Sequence, residues 1–260
     1  MIRIFSDSTC DLSKELIERY DITILSLHIL LGEEEFLDGV DITPDEIYKW
    51  SDEHKTTPKT SAVSIEDVMK AAEPYLDQGD EIISFSISDD MSTSGNVMHM
   101  AAAELEAEDR FHVINSANLS TGIGLLVIEA AIMAKEGKTS EEIITKIEEL
   151  KPLVRASFVV DTLTYLYRGG RCSGLAALAG GALKLHPQII VVDGAMKPAK
   201  KYRGNMLHVT LDYVKDMEKA MLNSHKDRVF ITHSGSDPKV VQEVYDYLEG
   251  LHYFDEICIT

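Results

Sequence analysis

Cysteine is scarce: Cys10, Cys172 and Cys258 are the only three in 260 residues. They stand far apart, form no Cys-x-x-Cys pair and leave an odd thiol. That excludes a disulfide scaffold and fits a reducing cytoplasm. Positive charge is scarce as well, with 25 Lys and Arg against 44 Asp and Glu and a net charge of −19. Affinity for nucleic acid comes from clustered cations, so a general nucleic-acid binder is excluded, as is adhesion to anionic membrane as the main mode. Long apolar runs are missing. The longest, Ile123–Ala134, is cut by Glu129 and is too short to span a bilayer. Met1–Phe5 enters a strand pattern directly, without the pattern of a secretory signal. There is no Walker A loop, no Gly-x-Ser-x-Gly elbow and no His-Glu-x-x-His. The nine histidines lack the paired spacing of a metal site. Gly122-Ile123-Gly124 lacks the third spaced glycine of a dinucleotide fingerprint.

What is present is an alternation of strand and helix patterns. Ile2–Phe5, Ile22–Leu31, Glu81–Ile87 and Phe111–Ile114 read as strands. Lys14–Tyr20, Pro44–Asp52, Ile65–Leu76, Ser94–Ala107 and Leu119–Lys135 read as helices. Thr43-Pro44-Asp45-Glu46 is a capping box with proline at the first helical position, and Thr139-Ser140-Glu141-Glu142 repeats the box. Strands separated by helices imply crossovers and a parallel sheet, so residues 1–155 are predicted to form an α/β domain. From residue 156 the style changes. Leu153–Val160 is a strand, and Gln188–Val192, Asp193-Gly194 and Ala195–Tyr202 read as a hairpin. Helices follow near Gly204–Asn223 and Pro238–Leu251, with strands at Arg228–Thr232 and Glu256–Ile259. Residues 156–260 are thus predicted to be a second, α+β domain.

Hydroxyl residues gather where strands give way to helices: Ser6-Asp7-Ser8-Thr9, Thr60-Ser61, Ser92-Thr93-Ser94, and Ser116 with Ser120-Thr121. In a parallel sheet the ligand crevice lies at the carboxyl ends of the strands, beside helix N-termini that favour anions. Helix capping accounts for any one of these clusters. Four of them together argue for an anion site.

The run from Phe158 to Arg171 reads as a buried strand, then a short helix capped by Asp161. Gly169 is expected to end that helix in the left-handed conformation, with Gly170 bare and Arg171 projecting a planar donor fork. Between Leu163 and Met206 stand seven basic residues and one acid, Asp193. Such an island on an acidic protein is a candidate docking face for an anionic partner; its alternative is chance clustering on a solvated surface.

These segments resemble, in order, the blocks of the DegV family. Phe5-Ser6-Asp7-Ser8-Thr9-Cys10-Asp11-Leu12 is similar to its opening signature, and Leu27-His28-Ile29 through Phe36–Thr43 to its second block. Lys59-Thr60-Ser61-Ala62-Val63-Ser64 resembles the Thr-Ser-x-Pro-Ser block, with Val63 where proline is usual. Ile87–Ser94 resembles the Ser-Gly-Thr block with Thr93 at the glycine, and Val113–Ser116 the next block with Asn115 for aspartate. The Asp161–Arg171 run, Leu183–Pro187 with His186 where lysine is common, and Arg203 complete the match. The family's further His-x-Gly-Pro-Gly-like segment has no counterpart before Thr260, so its histidine is not assigned here.

The resemblance implies a DegV-like two-domain fold, with a Rossmann-like parallel-sheet N-terminal domain and an α+β C-terminal domain. It also implies a cytoplasmic, bacterial fatty-acid-binding protein. Such a carrier subunit is not itself an enzyme. It holds a long-chain fatty acid in an apolar tunnel and presents the carboxylate to a separate kinase catalytic subunit, which makes the acyl phosphate. Carried across residue by residue, Thr60, Ser61 and Ser92 would contact the carboxylate, and Arg171 and Arg203 would organise the head group or dock the kinase. No metal or other cofactor, no nucleic acid and no stable membrane insertion are implied. Two other readings stay open: an acyl hydrolase with Ser92 as nucleophile and His233 as base, and a small-anion sensor without lipid.

Overall fold

A computed structural model describes residues 1–170, 185–221 and 223–260. The first of two compact units, Met1–Ala156 with Val191–Ala195, runs β1 (Ile2–Asp7), α1 (Lys14–Tyr20), β2 (Ile22–Leu25), β3 (His28–Leu31), β4 (Glu34–Leu37), α2 (Pro44–His54), β5 (Lys59–Ser61), α3 (Ile65–Leu76), β6 (Glu81–Ser86), α4 (Ser94–Glu104), β7 (Phe111–Asn115), α5 (Thr121–Lys135) and α6 (Ser140–Leu150). The main sheet has the order β2-β1-β6-β7 with every pairing parallel. Alternation along the strands sends Phe5, Ile82 and Phe111 to the layer that also holds Val68 and Ala72 of α3 and Met98, Ala101 and Ala102 of α4. Phe5 meets Phe111 and Tyr75 edge-on, at 6.3 and 5.7 Å between ring centroids. On the strands, Ile4, Ile83 and Ile114 alternate with those residues and are buried as well. Helix α5 packs on β1 and β6, and α6 packs on α5. Helix α5 is apolar nearly all round, as a helix buried on several sides must be. Each fully buried Ile, Leu or Phe contributes about 1.5–3 kcal/mol.

Residues 22–31 do not form one strand. The chain leaves the parallel sheet after Leu25, because Leu27 N–H donates to Ser8 Oγ at 3.1 Å and Leu27 C=O accepts from Asp38 N–H at 2.9 Å. It re-enters as β3, the centre of a separate antiparallel sheet of order β4-β3-β5. Thr60 and Ser61 therefore close an exposed edge strand of this separate sheet, at the point where β5 gives way to α3. Helix α5 starts at Thr121 and not at Leu119, since Ser120 stands at φ 53°.

The second unit, Ser157–Ile190 with Met196–Thr260, holds β8 (Ser157–Val159), α7 (Thr164–Arg168), all but the adjoining ends of β9 (Leu185–Val192) and β10 (Ala195–Arg203), then α8 (Met206–Met221), β11 (Val229–Ile231), α9 (Pro238–Gly250) and β12 (Ile257–Ile259). Its sheets have the orders β10-β9-β8 and β11-β12. The strand expected from Leu153 begins only at Ser157, because Lys151–Leu153 coil into a 3-10 turn. At the start of the short helix Thr162 Oγ1 accepts from Thr164 N–H at 3.2 Å. The left-handed residue after that helix is Gly170, at φ 72°, and not Gly169.

Candidate functional site

Parallel pairing puts the carboxyl ends of β1, β6 and β7 at one edge of the sheet, and each ends in small polar residues. Ser6, Asp7, Ser86, Ser88, Ser94, Ser116 and Asn118 are all buried there. Burying so many polar groups is tolerable only if they satisfy one another. Asp7 is the hub. Its Oδ1 accepts from Thr9 Oγ1 at 2.5 Å, and its Oδ2 accepts from Ile87 N–H, just past β6, at 2.8 Å. Burial nevertheless dominates and pushes the Asp7 carboxyl up to about 6. Asp11, at φ 51°, accepts from Ser120 Oγ at 2.6 Å and so ties the β1 exit to the start of α5. Lost hydration raises its carboxyl to about 6 as well, against that hydrogen bond. Ser8 Oγ donates to Asp38 Oδ2 at 2.7 Å. Cys10 beside them is buried, which pushes its thiol up to about 12 and leaves it unreactive.

The β6 exit leads to Ser92. Met91 and Ser92 N–H both donate to Ser88 C=O, at 2.8 and 3.1 Å, which folds the chain into a tight turn. Half-buried Ser92 shares a 3.0 Å hydrogen bond with Ser94 Oγ and accepts from Ser94 N–H at 3.2 Å. Helix α4 follows with no side-chain cap from Thr93. Its first turn therefore presents N–H donors and the positive end of the helix dipole next to two hydroxyls, an arrangement that suits a carboxylate or phosphate. Gly95 lets this turn sit close, since a Cβ there would lie 2.8 Å from both Ser86 Oγ and Asp89 Oδ1. Ser86 Oγ itself is buried and has no hydrogen-bond partner among the described residues. Asn115 closes the edge, donating from Nδ2 to Asp89 Oδ2 at 2.9 Å and accepting from Ala117 N–H at 2.9 Å.

The structure thus joins three of the four hydroxyl clusters through Asp7, Asp11 and the Ser88–Ser94 turn. It does not join the fourth. Among the described residues no hydrogen bond links Thr60 or Ser61 to the Ser92 turn. Arg203 is the exposed last residue of β10 in the second unit. Within the basic island Lys200 is paired with Asp216, which also accepts from Tyr202 Oη at 2.7 Å. Arg171 lies outside the described residues. Ser92 Oγ has a second serine as its partner, not a histidine, and His233 anchors its backbone N–H on Thr260 C=O at 2.9 Å. Among the described residues no group of three His, Cys, Asp or Glu could hold a metal ion, and no helix is long and apolar enough to cross a membrane. Reading hydroxyls as the signal passed over Asp7 and Asp11, although both stand in the opening block.

The profile of the DegV family, described as an uncharacterised protein family, matches residues 1–258. The chain belongs to the DegV family. A DegV domain-containing protein of Clostridium perfringens is 36% identical over 221 residues, covering 85% of this chain and 76% of the relative. Two solved structures share the DegV fold along almost the whole chain. The Thermus thermophilus DegV protein, described as fatty-acid binding, is 27% identical with a TM-score of 0.87, covering 100% of this chain and 91% of its own. A stearic-acid-binding protein from Eubacterium ventriosum is 32% identical with a TM-score of 0.87, covering 98% and 90%.

Proposed function

We propose that this DegV protein binds one long-chain fatty acid, with the carboxylate at the Ser92 turn and the tail in an apolar tunnel. The observation that carries the reading is the N-terminus of α4, which takes no side-chain bond from Thr93 and has Ser92 and Ser94 at its mouth. It stands in a fold that matches fatty-acid-binding proteins over nearly all of their length. A tail of roughly fifteen methylenes offers about 12 kcal/mol of gross burial before ordering costs. The polar mouth then supplies orientation rather than affinity. Thr60 and Ser61 are assigned to the carboxylate as well, which brings the edge of the antiparallel sheet into the proposed site.

The finer reading is a cytoplasmic carrier without catalysis of its own, which offers the carboxylate to a separate kinase, with Arg171 and Arg203 organising the head group or the docking. The hydrolase alternative gains nothing from Ser92's environment, since a neighbouring hydroxyl does not act as a base. Native mass spectrometry of the purified full chain tests the binding directly. The expected result is a mass excess of one acyl chain that solvent extraction removes. A protein that is lipid-free as purified and takes up no fatty acid when supplied would overturn the reading.

A further inference from the structure

The loop between β9 and β10 is two residues long, Asp193 and Gly194, both with positive φ, at 53° and 77°. Positive φ at both central residues marks a type I′ turn, for which Asp-Gly is a favoured pair. Such a turn ordinarily stands in solvent. Here Asp193 is exposed but Gly194 is buried. The turn belongs to the first unit, as do the residues Val191 and Ala195 on either side of it. Val191 N–H fastens its base, donating to Ala156 C=O at 3.0 Å. What covers Gly194 is the polar edge of the parallel sheet. A Cβ at Gly194 would lie 2.6 Å from Ser88 Oγ, 3.4 Å from Asp90 Oδ2 and 3.7 Å from Ala117 Cα. The first two stand at the β6 exit and the third at the β7 exit. Ser88 is 1% exposed, and each of its polar groups is engaged. Its N–H donates to Asn118 C=O at 2.9 Å, and its Oγ accepts from Asp90 N–H at 3.3 Å. Its carbonyl holds both Met91 and Ser92 N–H. Ser92 is thus fastened to the residue that Gly194 lies against.

We propose that the Asp193-Gly194 turn is a positioning element of the carboxylate site: it seats on Ser88 and fixes the place of the turn that carries Ser92. Glycine at 194 is what permits the seat. A side chain there would meet Ser88 Oγ, which must then rotate away from Asp90 N–H or carry the Ser88–Ser92 turn with it. The link from Ser88 to Ser92 is a single backbone hydrogen bond of 3.1 Å, so a displacement of one is a displacement of the other. Gly194 acts through Ser88 and is assigned no contact with a ligand. The consequence for affinity rests on the fatty-acid reading, whereas the seat does not.

The test has two arms on the full chain. The first needs no ligand. Backbone amide NMR compares wild type with Ser88→Ala and with Gly194→Ala. Ser88→Ala is expected to shift the Gly194 signal, and Gly194→Ala those of Met91 and Ser92, which are remote from it in sequence. Signals unmoved in both variants overturn the seat. Should Gly194→Ala fail to fold, Ser88→Ala decides the point by itself, since it adds no atom and no strain. The second arm compares palmitate with the alcohol of the same chain. Gly194→Ala is expected to weaken the acid about tenfold and the alcohol little, as a site loosened through its supporting residues would. The double variant of Gly194→Ala and Ser88→Ala has no Oγ to meet. It is expected to bind the acid within about twofold of Ser88→Ala alone, the mark of two residues coupled by contact. The strain of positive φ remains in that double variant, so the recovery separates the contact from the strain. Acid affinity of Gly194→Ala equal to wild type, equal losses for acid and alcohol, or a double variant without recovery overturns the positioning role. A wild type that binds neither ligand overturns the fatty-acid reading, and the first arm then decides the seat.

Discussion

Asp7 makes the stability of this protein depend on pH in a direction opposite to that of most carboxylates. In the folded chain its carboxyl holds a proton up to about pH 6, whereas the ordinary value is 3.8. Burial is the larger effect, and the hydrogen bonds from Thr9 and Ile87 offset only part of it. The folded state therefore binds the extra proton between these values. The contribution is fully present below 3.8 and is lost as pH rises through about 6. A gap of about two units corresponds to about 3 kcal/mol. Asp7→Asn removes the titration. The amide keeps both contacts within reach, since its oxygen can accept from Ile87 N–H while its NH2 donates to Thr9 Oγ1. Any remaining cost of the exchange does not vary with pH and so separates from the titration. Urea unfolding of both proteins from pH 4 to 7.5 at fixed ionic strength gives the difference in stability. The wild-type advantage is expected to fall by about 2.4 kcal/mol across that range, because at pH 4 the unfolded carboxyl is already more than half ionised. Asp11 titrates in the same window but is present in both proteins, so its direct effect cancels. A difference that is flat or rises with pH would refute the claim that Asp7 is neutral in a low-dielectric crevice.

Ser92→Ala is expected to weaken fatty-acid binding by about 1.5–3 kcal/mol, the loss of one hydrogen bond to a charged group, while the matched alcohol changes less. Isothermal titration with both ligands checks this, and equal losses would indicate a folding defect. Arg171→Ala is expected to leave fatty-acid affinity nearly unchanged and to lower acyl-phosphate formation with a cognate kinase at saturating lipid load. Added salt should weaken the wild-type complex, because exposed charges are screened over about 8 Å near physiological ionic strength. Gly194→Ala is expected to cost about 1–3 kcal/mol in urea melts, since Gly194 stands at φ 77° and a Cβ would lie 2.6 Å from Ser88 Oγ.

Periodicity made the parallel sheet legible because its strands are short apolar runs between well-capped helices. The capping boxes at Thr43 and Thr139 form as their spacing requires. The antiparallel sheet was not legible. Strand β4 reads Glu34-Glu35-Phe36-Leu37, two charged residues and then two apolar ones without alternation, and β5 reads Lys59-Thr60-Ser61, charged or polar throughout. Both are ordered by pairing with β3, a long-range contact that no local pattern announces. The split of residues 22–31 has the same origin, in hydrogen bonds from Ser8 and Asp38 that lie outside the segment. The hydroxyl clusters were visible as residue types, but the carboxyls that join them were not. A lone aspartate in sequence carries no sign of the backbone N–H groups that will meet it.

The departures from the family's blocks follow the same rule, each making sense only beside a spatial neighbour. Thr93 stands where glycine is usual, yet its φ of −94° and ψ of 7° are open to any residue, so the turn at Ser92 needs no glycine there. Glycine is required two residues later, where Gly95 meets Ser86 and Asp89. Asn115 replaces an aspartate opposite Asp89, and its amide donates to that carboxylate at 2.9 Å. Two carboxylates at that distance would repel, so the neutral side chain is the one that keeps the exits of β6 and β7 together. His186 replaces a lysine, and its ring nitrogens lie 3.2 and 3.1 Å from the Val160 and Gly204 carbonyls, keeping hydrogen-bonding nitrogen between the two backbone segments. Val63 replaces a proline and is buried at 2% exposure, an apolar residue exchanged for another. The hydroxyls at Thr60, Ser61 and Ser92 are not exchanged. Each departure is thus accommodated by its spatial neighbours, and under the proposed carboxylate reading it is these three hydroxyls, not the exact course of the backbone around them, that the site needs.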